Sequence, residues 1–139
     1  MDETWNGRWE SADSAVAGGI EPLTPGARLE TSHRDHCVVA TVAGVLDLAN
    51  VTAVRDRLHG HVYAGARHLV LDLSRVTFLD SAGLSMLVGL RRILSARNGT
   101  LHLAACSAPI LDLIEVTGLS RTFTLHDTVA EAETASAAP

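Results

Sequence analysis

Lysine is absent: all 11 basic side chains of this 139-residue chain are arginine, set against 16 acidic ones. The resulting net charge of −5 favours solubility but gives no positive stripe for a phosphate backbone, so no direct nucleic-acid partner is expected. Aromatic residues make up only 4% of the chain, too few for a base-stacking platform. Cysteine occurs twice, as Cys37 and Cys106, without Cys-x-x-Cys spacing; both read as small buried hydrophobes in strands. No apolar run reaches the ~18 residues of a membrane span, and no basic region followed by an apolar stretch marks a signal peptide. The expectation is a cytoplasmic protein without membrane contact. A Gly-rich phosphate loop and a Gly-x-Ser-x-Gly elbow are both missing, and no histidine is set as a base by a local motif. Neither a cofactor nor an enzymatic activity is therefore expected. The seven histidines suggest no metal site: His59 and His61 stand two apart on a helix and do not share a face, and His33 and His36 sit in a polar turn. All seven read as solvated surface.

What is present is one core's worth of apolar residues, 47% of the chain. Residues 1–27 stand apart, with Gly18-Gly19, Pro22 and Pro25-Gly26, and read as a disordered extension. Trp5 and Trp9, four apart as on a helix face, are its one candidate docking motif. Residues 28–133 read as the folded domain and 134–139 as a flexible tail. Within the domain, Arg28–Ser32 and Cys37–Val42 flank the turn His33–His36 as a hairpin, and Gly44–Asp47 is a short extended piece. Val51, Val54, Leu58 and Val62 recur at helical spacing, and His68–Leu73 is an interior strand. A helix from Asp80 to Arg97 ends at Asn98-Gly99, and a strand follows over Thr100–Ala105. Ser107 and Pro109 open a third helix that Gly118 ends, Phe123–Leu125 is a short extended piece, and Asp127 can cap a final helix to about Glu133. The fold class is α/β: a mixed β-sheet of four to five strands with about four packed helices.

The most informative stretch runs from Leu71 to Leu84, where a strand leads through Val76-Thr77-Phe78-Leu79 into a helix opened by Asp80-Ser81. Either side chain can cap that helix. On a wheel of 100° per residue, Met86, Leu87, Leu90, Ile93 and Leu94 gather on one side as the core face. Leu84 and Val88 point away, beside Ser85, Gly89 and Arg92, with Ser81 on the same outer side. An apolar and small-residue face next to an exposed serine suits a docking patch, and a helix N-terminus accommodates a phosphate.

These residues resemble the signature of the STAS domain family, and within it the bacterial anti-sigma factor antagonists. The similarity rests on the strand His68–Leu73, the run Val76-Thr77-Phe78-Leu79-Asp80-Ser81-Ala82-Gly83-Leu84, the later Gly99, and Thr117-Gly118-Leu119. It implies that Ser81 is a phosphoacceptor. The implied partners are an anti-sigma factor serine kinase, an ATPase of histidine-kinase-like fold, and a PP2C-type phosphatase. When unphosphorylated, the antagonist would bind the kinase and release a sigma factor. The implied contact set is Asp47, Asp80, Ser81, Ala82, Gly83, Leu84, Ser85, Val88 and Arg92. Two positions depart from the family pattern: Ala82 stands where a second hydroxyl is common, and Val45 replaces an acid in the piece Gly44-Val45-Leu46-Asp47. The alternatives are a STAS subunit of a lipid-transport or stress-signalling complex, with Ser81 structural, and a small hydrolase. Co-purifying proteins separate the first two readings; turnover by the isolated chain would reveal the third.

Overall fold

The computed structural model describes residues 21–137. In chain order these form β1 (Glu21–Thr24), β2 (Ala27–His33), β3 (Val38–Leu46), α1 (Val51–Tyr63), β4 (His68–Leu79), α2 (Ser81–Ala96), β5 (Thr100–Ala104), α3 (Ala108–Val116), β6 (Thr124–His126) and α4 (Val129–Ser136). The strands make one sheet in sequence order, β1 to β6. β1, β2 and β3 pair antiparallel, and β3 to β6 pair parallel. Each parallel connection carries a helix, as crossover geometry demands.

Alternation along the strands divides the sheet into two faces. Leu69, Leu71 and Leu73 of β4 with Leu101 and Leu103 of β5 meet Val54, Leu58 and Val62 of α1, Leu87, Leu90 and Leu94 of α2, and Ile110 and Ile114 of α3. The opposite face carries the smaller cluster Cys37, Val39, Val70 and Ala104, covered by Ala132 of α4. Full burial of each large aliphatic stabilises the fold by ~1.5–3 kcal/mol, so the three-helix side dominates. No helix among the described residues is long and apolar enough to cross a membrane.

The α/β class and its mixed sheet are as the sequence indicates, with several local differences. The sheet has six strands among the described residues. β1 and the turn to β2 fall within 21–27, so that part of the expected extension is sheet; residues 1–20, with Trp5 and Trp9, lie outside the described residues. Gly44–Leu46 is the end of β3, and Val76–Leu79 is the end of a continuous 12-residue β4. α4 is capped by Thr128, whose hydroxyl accepts from Glu131 N–H at 3.1 Å, in place of Asp127. It reaches Ser136, inside the expected tail, and Ser136 is buried. Ser107 makes no side-chain cap bond. Cys37 is buried as expected, whereas Cys106 is half-buried, its thiol pushed up to about 11 chiefly by burial and further by Asp72, against a lowering backbone hydrogen bond.

The histidines also differ from a uniformly solvated set. His102 on β5 is 7% exposed and lies in a chain of polar contacts across three parallel strands. His68 Nδ1 is 2.8 Å from Thr100 Oγ1, which is 3.1 Å from His102 Nε2, and His102 Nδ1 is 2.9 Å from His126 Nε2. Burial, then the neighbouring His126 and His68, lower the pKa of His102 below its ordinary 6.5. Its neutral form is thus favoured by folding, and its share of stability is complete above pH 6.5 and is lost as the pH falls below it. His61 and His59 are lowered as well, mainly by burial, and act in the same direction. A melting series between pH 7.5 and 5 should fall on the acid side, and His102→Gln should flatten that limb without removing it. An equally steep limb in the variant would place the titration elsewhere.

Candidate functional site

The carboxyl ends of β3 and β4 lie side by side, with Leu46 in register with Leu79. The next residue in each strand is an aspartate, so Asp47 and Asp80, 33 positions apart in sequence, open two adjacent loops on one edge of the sheet. In open α/β sheets this edge, beyond the carboxyl ends of parallel strands, is where ligands and partners meet the fold.

Asp80 joins the two loops. Its backbone N–H donates to Leu46 O at 3.2 Å. Its Oδ1 accepts from Ala82 N–H at 2.9 Å and Gly83 N–H at 3.0 Å, capping α2. Its Oδ2 accepts from Leu48 N–H at 3.2 Å, holding the loop that leads into α1. Asp47 organises that loop from within. Its Oδ1 accepts from Ala49 N–H at 3.0 Å and Asn50 N–H at 3.2 Å, while its own N–H donates to the Oδ1 of buried Asn50 at 3.0 Å.

Ser81 occupies the first position of α2 and is exposed. Its hydroxyl has no side-chain hydrogen bond among the described residues, so no base activates it there. The capping carboxylate already holds the Ala82 and Gly83 N–H groups. A phosphate at this helix N-terminus would therefore meet two donors that are already engaged. Gly83 is buried because α2 starts hard against β3. A Cβ there would lie 2.6 Å from Leu46 O and 3.1 Å from Leu79 Cγ, so only glycine allows this approach.

Ser85 and Arg92 are exposed on α2, as the wheel suggests, and Ala82 is half-buried. Leu84 is different. It is 6% exposed and belongs to the main core, which corrects its placement on an outer face. Val88 is half-buried and packs against that core. The exposed apolar groups of this edge are instead Leu48, 80% exposed, and Phe78, 53% exposed. Sequence reasoning passed over both. Their signal was an apolar residue directly after the loop aspartate and a large aromatic on the solvent side of a strand end.

This architecture defines a single mixed-sheet α/β domain that displays the Ser81 hydroxyl, with the large apolar side chains of Leu48 and Phe78, at the carboxyl edge of its parallel strands. The family model for the STAS domain matches residues 28–132, and the chain belongs to that family. The anti-sigma-B factor antagonist of Staphylococcus aureus is 31% identical over 91 residues, 66% of this chain and 84% of the relative. A crystal structure of an anti-sigma factor antagonist from Mycobacterium paratuberculosis superposes with a TM-score of 0.73 at 28% identity, covering 82% of this chain and 97% of that one. The Bacillus cell fate determinant SpoIIAA, solved in its phosphorylated form, shares the fold at a TM-score of 0.62 and 24% identity, covering 77% and 97%.

Proposed function

We propose that the protein is an anti-sigma factor antagonist: unphosphorylated, it binds a kinase-type anti-sigma factor and so releases a sigma factor, and phosphorylation of Ser81 switches it off. The protein acts as a binding module, and the chemistry on Ser81 belongs to the kinase and to a PP2C-type phosphatase. The observation that carries this reading is the exposed, unbonded Ser81 hydroxyl on a helix start fixed by Asp80, beside the loop of Asp47 and Leu48. The names of its relatives support the same role.

The local electrostatics explain how such a switch can operate without refolding. Phosphorylation adds ~−1.5 to −2 charges. Asp80 already holds the Ala82 and Gly83 amide donors, so the new charge gains no partner from these two and sits next to a carboxylate. A partner covering this edge would have to strip water from the phosphate or face it with repulsion. Leu48 and Phe78 supply the apolar surface that the unmodified edge can bury.

Incubation with the cognate kinase and ATP should add one phosphate, mapped by mass spectrometry to Ser81. Ser74, Thr77 and Ser85 are also exposed, and phosphate found mainly on any of these would overturn the assignment.

A further inference from the structure

Aspartate, asparagine and serine cap helices about equally well, so capping alone does not call for an aspartate at position 80. Asp80 does more than cap, because both of its oxygens accept hydrogen bonds. Oδ1 serves the Ala82 and Gly83 N–H groups, and Oδ2 serves the N–H of Leu48. A serine has a single oxygen, and an asparagine presents an NH2 donor in place of the second acceptor. A carboxylate is therefore what can hold the start of α2 and the Leu48 loop at the same time.

That loop has no slack. Each backbone N–H from Asp47 to Val51 is engaged. Asp47 N–H donates to Asn50 Oδ1 at 3.0 Å, Ala49 N–H to Asp47 Oδ1 at 3.0 Å, Asn50 N–H to the same oxygen at 3.2 Å, and Val51 N–H to Asp47 O at 2.8 Å. These four bonds stay within the segment. Leu48 N–H alone has its acceptor elsewhere in the chain, on Asp80. Asn50 is 4% exposed and roots the loop in the domain.

The Leu48 side chain is the opposite: it is exposed and belongs to neither apolar cluster of the fold. A single exposed leucine is ordinary on a protein surface. This one is held in place by the carboxylate that directly precedes Ser81, so a partner covering the Ser81 hydroxyl meets Leu48 as well. A side chain fixed before association spares the ordering cost of binding, and a few side chains seated in pockets carry most of the binding energy of an interface.

We infer that, given the antagonist role proposed above, Leu48 is the apolar anchor of the interface with the anti-sigma factor kinase, and that Asp80 is the positioning residue that holds it out. The kinase would receive Leu48 in an apolar pocket beside the groove that takes Ser81.

The test uses the full-length protein and the serine kinase that phosphorylates its Ser81. Leu48→Ala should weaken binding without ATP by about tenfold or more, and Leu48→Met should restore it. Val116→Ala, at a similarly exposed position at the far end of α3, should bind as the parent does. Asp80→Asn keeps a cap oxygen for α2 but turns a donor towards Leu48 N–H. It should weaken binding to a similar degree at a near-parental melting temperature, and its effect on phosphorylation should fall on KM more than on kcat. Asp80→Ser, which caps with one oxygen, provides the same comparison should Asp80→Asn melt early. In a Leu48→Ala background, Asp80→Asn should cost less than about twofold more, because it acts through Leu48. Parental binding by Leu48→Ala would overturn the anchor. Losses that multiply in the double variant would show Asp80 touching the kinase itself and overturn its positioning role. If no kinase binds or phosphorylates the parent, the antagonist reading fails and the anchor fails with it; if the parent is bound and the Leu48 variants are too, only the anchor fails.

Discussion

Leu84→Asp should destabilise the domain by about 3–5 kcal/mol, the scale of an uncompensated buried charge. Domains of this size are held by only ~5–15 kcal/mol in total, so the variant should lose a large part of its stability. Leu84 is 6% exposed and part of the main core, and a carboxylate in that cluster would lose its water without an ion-pair partner. Val88→Asp should cost less, because the half-buried Val88 lets the new carboxylate reach solvent. Urea titrations followed by far-UV circular dichroism separate the two. If Leu84→Asp unfolds at the same midpoint as the parent, Leu84 lies on the surface and the described start of α2 is wrong.

Ser81→Asp should bind the anti-sigma factor kinase about 5- to 150-fold more weakly, the 1–3 kcal/mol range of a typical coupling between modification and binding. Ser81→Ala should bind as tightly as the parent and keep doing so in the presence of ATP, because it lacks the hydroxyl that accepts phosphate. Neither variant should shift the melting temperature much, since the Ser81 side chain is exposed. Calorimetric titration with and without ATP checks all of this. Parent-like affinity in Ser81→Asp, with Ser81→Ala still inactivated by ATP, would move the switch to another residue.

Most of the strands and helices were legible because their apolar residues repeat at the period of their element. His68–Leu73 and the α1 set Val54, Leu58 and Val62 are examples. β1 escaped notice because Pro22 and Pro25-Gly26 look like loop chemistry, yet proline is tolerated on an edge strand. Leu84 was misplaced for a different reason. A wheel centred on Leu90 assumes one buried direction for the whole helix. The first turn of α2 also abuts the ends of β3 and β4, and the absent Cβ of Gly83 brings it close enough to bury a second side. At the site, Asp80 and Ser81 could be found from helix-start chemistry. The bond from Leu48 to Asp80 could not, because only the register of two parallel strands brings residues 32 positions apart together. His102 was likewise hidden, because its polar partners Thr100 and His126 are brought to it by the sheet, the latter from the neighbouring strand β6.

The two outermost strands are the shortest of the sheet: β1 has four residues and β6 has three. Unpaired strand edges act as templates for other chains, and their length sets how many hydrogen bonds a wrongly added strand can make. Pro22 removes one further donor from β1, and the register shift between Pro22 and Thr24 breaks its regular ladder. The long, apolar strands β3 and β4, which would be the most hazardous if bare, are interior and paired on both sides. Among the described residues, both margins of the sheet therefore offer few hydrogen bonds to a strand of a second copy.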